Sequence, residues 1–309
     1  MNIASIDIGT NTVLLLIANI NKQNGKIKSL LNKYRMPRLG KGLLPGKPIS
    51  EDRIAALFEV LDEYSDLIRQ YECEKVIAKG TSALRIATNR EEIIDAVKKR
   101  FGINIEVIHG SQEAKLSYLG AISEVESDRY LVIDIGGGST EIIYGDKDSI
   151  EYSKSFEAGV VNLTEKFIKH DPPMPDELDL LNSQVREIFA ELNGKFPNNF
   201  TAVAVAGTPT SLSCIKQDLS VYSEEKVEGS ILTITDLAEM MDWFSTRTSK
   251  DILSLYPEIL SGREDIILAG TIILRNILLL LRSDNVTVSA RGIRYGAIFD
   301  YIIRESGSV

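Results

Sequence analysis

Two stretches of this 309-residue chain carry residue types that together can grip phosphate. They are Ile133-Asp134-Ile135-Gly136-Gly137-Gly138-Ser139-Thr140-Glu141 and a weaker echo, Ile6-Asp7-Ile8-Gly9-Thr10-Asn11-Thr12. In each, an apolar run ends in Asp-Ile-Gly and a second apolar run follows, which is the pattern of strand, tight turn and strand. Three consecutive glycines strip the second turn of Cβ atoms, so its backbone can approach a ligand closely and take positive φ where needed. Successive N–H groups can then point into one concavity and hold an anion. A carboxylate just before such a turn would repel the anion unless a cation bridged them. Mg2+ is the hard ion suited to carboxylate, hydroxyl, water and phosphate oxygens. Glu141, across the hairpin from Asp134, could supply a second carboxylate. The plainer alternative is an ordinary β-turn with Asp7 or Asp134 as a capping side chain. Three strand-weakening glycines in a row argue against it for the second stretch. The recurrence itself implies two lobes built on one plan, facing each other across a cleft.

Composition sets the frame for these hairpins. With 44% apolar residues, the chain is ample for two compact α/β domains, which the recurrence places at 1–125 and 126–309. A net charge of −9 argues against general binding of duplex nucleic acid. The charge is unevenly spread: between Ile8 and Ser50 there is no Asp or Glu, while Lys22, Lys26, Lys28, Lys33, Arg35, Arg38, Lys41 and Lys47 all occur. Such a run is either a solvated face or a basic wall beside the first hairpin that suits a polyanionic substrate. Cys73 and Cys214 lie in separate apolar contexts without metal-ligand spacing, as expected of reduced, buried thiols in a cytoplasmic protein. No basic-then-apolar leader precedes Ile3, and the apolar stretch Ile266 to Leu281 is short and carries Arg275 and Asn276. Neither a signal peptide nor a membrane segment is expected.

The elements that must position the hairpins follow in chain order. Strands are predicted over 2–8, 12–20 and 26–37, then a helix capped by Ser50 and running to about Tyr71, with acidic Glu51 and Asp52 in its first turn. A strand over Lys75 to Ala78 leads into Gly80-Thr81-Ser82-Ala83-Leu84-Arg85, which starts a short helix. Asn89-Arg90-Glu91-Glu92 has the capping-box pattern. A strand over Ile103 to Ile108 and a helix from about Ser111 close the first lobe. The second lobe repeats the opening with strands over 129–135, 140–145 and 150–157 and a helix from Val160. Pro172, Pro173 and Pro175 then precede a helix over 176–194. A short strand over Ala202 to Ala206 runs into Gly207-Thr208-Pro209-Thr210, which opens a helix. Helices over 235–246 and 263–282, a strand over Asn285 to Ser289 and a last helix complete the order.

These motifs, taken in order, resemble those of the exopolyphosphatase and guanosine pentaphosphate phosphohydrolase (Ppx/GppA) family of the actin-like, sugar-kinase-like ATPase superfamily. The resemblance covers nearly the whole chain. It is carried by Asp7 to Thr12, Thr81 to Arg85, Gly110-Ser111-Gln112-Glu113-Ala114, Asp134 to Glu141, Gly159 to Glu165, Ala206 to Thr210, and Ser289 to Gly296. It implies two ribonuclease-H-like lobes with a phosphate-binding cleft between them, a homodimer, and Mg2+-dependent hydrolysis of a terminal phosphoanhydride that releases orthophosphate.

By match to the family motif, Glu113 is implied as the general base for the attacking water. Spacing alone leaves it equally a first-turn glutamate favoured by the helix dipole. Asp134 and Glu141 match the family's acidic metal positions, with Asp7 facing them. Gly9, Thr10, Asn11, Gly136, Gly137, Gly138 and Ser139 are implied as phosphate contacts. Arg85 matches a phosphate-contacting arginine, for which its guanidinium fork is suited; on composition alone it is a surface helix arginine. Gly207 and Thr208 match the superfamily turn that in kinases lies beside the nucleoside. Thr10 and Thr12 stand where serines are common, which keeps the hydroxyls, and His109 reads as a strand-end structural residue. Longer family members add a C-terminal helical, histidine-containing extension for which this sequence has no room, so processive grip on long polyphosphate stays open. The implied activity is that of an exopolyphosphatase. The alternatives are a guanosine pentaphosphate 5′-phosphohydrolase, a phosphotransferase of the acetate-kinase type, or a weakly catalytic sensor of polyphosphate or an alarmone.

Overall fold

A computed structural model describes residues 1–21, 27–197 and 199–305. Lys22 and Lys26 of the basic run, and the first residue of the strand expected over 26–37, lie outside the described residues. The fold is mixed α/β in two compact units.

The first unit begins with β1 (Asn2–Ile8), β2 (Val13–Ile20) and β3 (Ile27–Arg35), an antiparallel meander. It continues with α1 (Glu51–Gln70), β4 (Lys75–Gly80), α2 (Ser82–Ile86), α3 (Arg90–Phe101), β5 (Ile105–Val107) and α4 (Gly110–Ala121). β4 and β5 join parallel to β1, giving the order β3-β2-β1-β4-β5. Strand β1 is apolar on both faces because both are covered. Ala4, Ile6 and Ile8 pack with Leu57, Leu61 and Tyr64 of α1 and Ile93 and Val97 of α3, while Ile3 faces the opposite helix layer.

The second unit repeats this plan with β6 (Tyr130–Ile135), β7 (Thr140–Gly145) and β8 (Ile150–Phe156). Then follow α5 (Val160–Phe167), α6 (Pro175–Ile188), β9 (Thr201–Val205), α7 (Gly207–Lys216), α8 (Glu224–Val227), β10 (Ile231–Thr233), α9 (Ile234–Ser245), α10 (Ser249–Leu255), α11 (Pro257–Leu260), α12 (Ile267–Leu281) and β11 (Asn285–Val288). Its sheet order is β10-β11-β9-β6-β7-β8, the first sheet's order with one antiparallel strand added at the edge. The recurrence read from the two hairpins is therefore a recurrence of whole sheets. The most apolar stretch is α12, which supplies Ile272, Ile273, Leu274 and Ile277 to the core. Its Asn276 is satisfied by Asn182, Arg186 and the Ile272 carbonyl. Among the described residues no helix is long and apolar enough to cross a membrane.

The last helix, α13 (Ile293–Glu305), corrects the expected division at 125/126. It belongs to the first unit, which spans Met1–Gly120 and resumes at Ile293. Its Tyr295 and Ile298 close the core around Ile3 and Leu16, and Ile293 and Ala297 pack on Ile108 and Leu116. Gly296 permits the crossing with α4, since a Cβ there would lie 1.8 Å from the Leu116 carbonyl oxygen. Chain order alone carries no trace of such a return.

Smaller expectations also shift. Ser50 takes the N-cap position of α1 without a side-chain cap bond. Asn89 forms no capping box; its amide spends both groups on the backbone of Ile49. The helix expected to reach Gly194 ends at Ile188, and a 3-10 turn over Ala190–Leu192 follows. Cys214 is buried but Cys73 only half so, and both are free thiols.

Candidate active site

In the first unit the carboxyl ends of the parallel strands meet, the place where open α/β sheets bind ligands. The four-residue loop Gly9–Thr12 joins β1 to β2, with the Gly9 N–H donating to the Thr12 carbonyl at 2.9 Å. The Thr10 carbonyl accepts from Gly40 N–H (2.8 Å) and the Asn11 carbonyl from Arg38 N–H (3.0 Å). Because a trans peptide points its C=O and the following N–H in opposite directions, the N–H groups of Asn11 and Thr12 face away from these anchors. Thr81 follows β4 and donates its N–H to the Ile8 carbonyl (3.1 Å), seating α2 beside this loop. From α2, Arg85 Nη1 donates to Glu113 Oε2 at 2.8 Å and to the Ile108 carbonyl at 3.0 Å. Glu113 lies in the first turn of α4 and is only 7% exposed. The expected base and the expected phosphate-binding arginine are thus an ion pair.

The second unit builds the same loop more fully. Gly136 N–H donates to the Ser139 carbonyl at 2.9 Å, as Gly9 does to Thr12. The opening of α5 takes up three loop carbonyls: Val160 N–H that of Gly136, Val161 N–H that of Gly137, and Asn162 Nδ2 that of Gly138. By the same trans-peptide geometry, the N–H groups of Gly137, Gly138 and Ser139 are left on the other side, a ready concavity for an anion. The three glycines are not there for positive φ, which among the described glycines falls elsewhere, at Gly42 and Gly102 for example. They are there for the close approach of backbone, and Gly159 shows it. A Cβ on that residue would lie 2.3 Å from the Gly137 carbonyl.

Asp134 and Glu141 are directly opposed in the β6–β7 register, so both project to the same face. They are 7% and 2% exposed. Ser155, in register on β8, donates to Glu141 Oε1 at 2.6 Å. Two carboxylates on one face of a hairpin are a donor pair of the kind that can hold a hard cation. Among the described residues no group of three or more His, Cys, Asp or Glu side chains is gathered for a metal. A pair of carboxylates nevertheless suits Mg2+, which keeps several waters and takes further oxygens from phosphate. Asp7 is in the first unit, opposite Leu14 instead of a second carboxylate.

The turn after β9 places Gly207 and Thr208 at the start of α7. Arg263 lies against Gly207 and donates to its carbonyl (3.3 Å) and to Ser211 Oγ (2.9 Å). Thr208 is buried against Gly270.

The expected basic wall is partly spent. Lys33 and Arg35 both pair with Glu63 of α1 at 2.8 and 2.7 Å. Sequence patterns could not show this, since Glu63 lies 28 residues beyond Arg35. Nor did they single out Gly40, whose Cβ would meet Thr10 Cγ2 at 2.1 Å, or Ser155, a strand serine with no local signal.

A profile of the Ppx/GppA phosphatase family matches residues 16–305. The chain belongs to the Ppx/GppA phosphatase family. It is accordingly a hydrolase. It is 32% identical to Exopolyphosphatase 2 of Mycobacterium tuberculosis over 95% of this chain and 96% of that protein. It is 34% identical to the bifunctional 3-dehydroquinate synthase/phosphatase of Fusobacterium nucleatum over 96% of this chain; there it spans about half of the relative, 46% of its length. The crystal structure of the Aquifex aeolicus Ppx/GppA family member aligns with a TM-score of 0.84 at 33% identity, covering 100% of this chain and 99% of that one. The two-lobed α/β fold implied by the sequence motifs is the family fold.

Proposed function

We propose that this Ppx/GppA protein is a Mg2+-dependent exopolyphosphatase that hydrolyses the terminal phosphoanhydride of inorganic polyphosphate and releases orthophosphate. The observation that carries the reading is the Arg85–Glu113 pair, fixed beside an anion-gripping loop at the carboxyl ends of β1, β4 and β5. The full-length likeness to a protein named exopolyphosphatase supports the choice of substrate.

Each group then has a task. The N–H donors of Gly137, Gly138 and Ser139, and those of Asn11 and Thr12, hold phosphate oxygens without reorganising. Thr10 packs its methyl on Gly40 and fixes the first loop. Arg85 holds Glu113 in place, and its remaining N–H donors suit a phosphate oxygen. Glu113 takes a proton from the attacking water as its oxygen bonds to the terminal phosphorus. The bridging P–O bond breaks, and the leaving oxygen departs on the shortened chain. Asp134 and Glu141 would hold Mg2+, with Ser155 orienting Glu141 and Asp7 implied by the motif match as a third ligand. When bound, the ion neutralises phosphate charge. Gly207 and Thr208 shape the turn at α7, with Arg263 as a cation for a more distant phosphate.

The test is phosphate release by the purified protein with Mg2+, offered long polyphosphate, short polyphosphate and guanosine pentaphosphate in parallel, with Glu113→Gln as the control. Release from polymer that the control lacks is the expected result. Release from the nucleotide alone would replace the substrate assignment, and release unchanged in Glu113→Gln would remove Glu113 as the base.

A further inference from the structure

The two phosphate loops are built alike, and so are the segments that support them from behind. Gly9 and Gly136 each donate to the last carbonyl of their loop, which makes Thr10 the equivalent of Gly137 and Asn11 that of Gly138. In the second unit the Gly137 and Gly138 carbonyls accept from Val161 N–H at 2.9 Å and Asn162 Nδ2 at 2.8 Å. In the first unit the Thr10 and Asn11 carbonyls accept from Gly40 N–H and Arg38 N–H, at 2.8 and 3.0 Å. Each support follows directly on the third strand of its sheet: Gly159 comes soon after Phe156 of β8, and Arg38 soon after Arg35 of β3.

From there the two units differ. The second winds into α5, whose own hydrogen bonds keep the support in shape. The first forms neither helix nor strand between Arg35 and Glu51, and Lys41 to Pro48 are mostly exposed. Ordering such a segment costs conformational entropy, so its ends must be tied. One end is Gly40 on Thr10. The other reaches the connection between α2 and α3, where Thr88 N–H donates to the Lys47 carbonyl at 3.2 Å. There Asn89 Oδ1 accepts from Ile49 N–H and Asn89 Nδ2 donates to the Ile49 carbonyl, each at 2.9 Å. An asparagine at a helix N-cap ordinarily caps its own helix. Asn89 holds that position on α3 and turns its side chain to Ile49 instead. Ile49 is 2% exposed and shares the core with Leu39 and Leu84, so Asn89 satisfies backbone groups that water reaches poorly. Leu84 is the neighbour of Arg85 on α2. One segment therefore joins the first phosphate loop to the helix that carries Arg85.

We propose that Asn89 is a positioning residue for the first phosphate loop. Through Ile49 and residues 38–49 it fixes the Thr10 and Asn11 carbonyls, and with them the opposite-facing N–H groups of Asn11 and Thr12, relative to Arg85. The assignment rests on the exopolyphosphatase reading of the site. Asn89 acts through the segment and touches no reacting atom.

Asn89→Ala, Gly40→Ala and their combination test it. Amide hydrogen exchange, which needs no turnover, is expected to quicken about tenfold or more at Arg38 and Gly40 in Asn89→Ala, while the β1 amides exchange as in wild type. Phosphate release from polyphosphate should lose about 10- to 100-fold in kcat/KM. Most of that loss should be a raised KM, because the loop grips phosphate before the reaction as well as during it. A variant that merely unfolds in part would keep its KM and lose kcat with the folded fraction. The double variant should be little worse than Gly40→Ala, since both changes act on one loop. Unchanged exchange at Arg38 and Gly40, an unchanged KM, or additive losses in kcat/KM would each overturn the proposal. If Asn89→Ala does not fold, Asn89→Asp takes its place; it keeps the acceptor for Ile49 N–H, loses the donor, and should shift exchange and KM in the same direction. If Gly40→Ala does not fold, exchange and KM decide without it. Absence of phosphate release by the wild-type protein from every substrate would overturn the exopolyphosphatase reading and leave the exchange readout to decide for Asn89.

Discussion

Arg85 Nη1 lies 2.8 Å from Glu113 Oε2 and 3.0 Å from the Ile108 carbonyl, so one nitrogen ties a helix-borne carboxylate to the end of the central sheet. Glu113→Gln keeps the shape of that contact and removes the basic carboxylate. Phosphate release is expected to fall about 100- to 10,000-fold, the range of a general base, with KM nearly unchanged. Arg85→Ala should raise KM as well as lower kcat, because it loses a phosphate donor and frees Glu113. The double variant should be little worse than Glu113→Gln in kcat. Steady-state phosphate release on the four proteins checks this, and additive losses in kcat would show that the pair does not act as a unit.

Gly159 carries the second loop as much as the loop's own glycines do. Its Cα stands where a methyl would meet the Gly137 carbonyl at 2.3 Å and the Gly138 nitrogen at 2.4 Å, both backbone atoms that cannot rotate away. Gly159→Ala should cost about 1–3 kcal/mol of stability by overpacking. It should also push the Gly137 and Gly138 N–H groups out of line, lowering phosphate release. Thermal melts together with phosphate assays test both, and a variant with unchanged melting and activity would show that the α5 opening yields freely.

The contrast between Gly137 and Gly159 shows what was legible in the sequence. Three glycines after an apolar run ending in Asp announce a bare turn, because strand and turn chemistry are local. The same locality exposed Asp134 opposite Glu141, since a four-residue loop fixes the register. The partner that makes Gly159 obligatory arrives from another element, as does Ser155 beside Glu141. The return of α13 to the first unit depends on Tyr295 and Ile298 meeting Ile3 and Leu16, pairings that an apolar helix pattern cannot name. Lys33 and Arg35 looked like a free basic wall for a similar reason: Glu63, which engages both, lies on the next helix.

Ser155 donates to Glu141 Oε1 at 2.6 Å and so orients a carboxylate expected to hold the cation. Loss of such an outer partner commonly costs 10- to 100-fold in metal affinity. Ser155→Ala should therefore raise the Mg2+ concentration at half-maximal activity by about tenfold, while kcat at saturating Mg2+ stays near wild type. Mg2+ titrations of phosphate release decide it. An unchanged Mg2+ requirement would detach Ser155 from the cation site.

Stability should depend on acid through Glu177, whose carboxylate caps the start of α6. It accepts from the Met174 N–H (3.0 Å) and the Lys169 N–H (3.0 Å) and contacts His170 Nδ1 (2.8 Å). The Met174 bond first, with His170 and Lys169 behind it, holds its pKa at about 2 instead of the ordinary 4.5. A folded-state value below the unfolded one gives stability that is fully present above pH 4.5 and is lost as pH falls towards 2. Glu177→Gln should melt lower than wild type at pH 7, and the gap should close between pH 4.5 and 2. A gap that stays constant over that window would assign the loss to packing instead of charge.

Ala206 marks the entry to α7 with φ 79° and ψ −167°, a region essentially reserved for glycine. Thr210 Oγ1 accepts this geometry by donating to the Ala206 carbonyl at 2.9 Å, and the helix begins at the next residue. Arg282 also has positive φ, but its φ 55° and ψ 38° lie in the left-handed helical region that often ends helices. Strain at Ala206 is of order 1–3 kcal/mol, and a side chain in the left-handed region pays less. Ala206→Gly should therefore raise the melting temperature, and by more than Arg282→Gly does. Equal gains would mean that Ala206 is no more strained than an ordinary helix end. A loss would mean that its methyl packs well enough to outweigh the backbone.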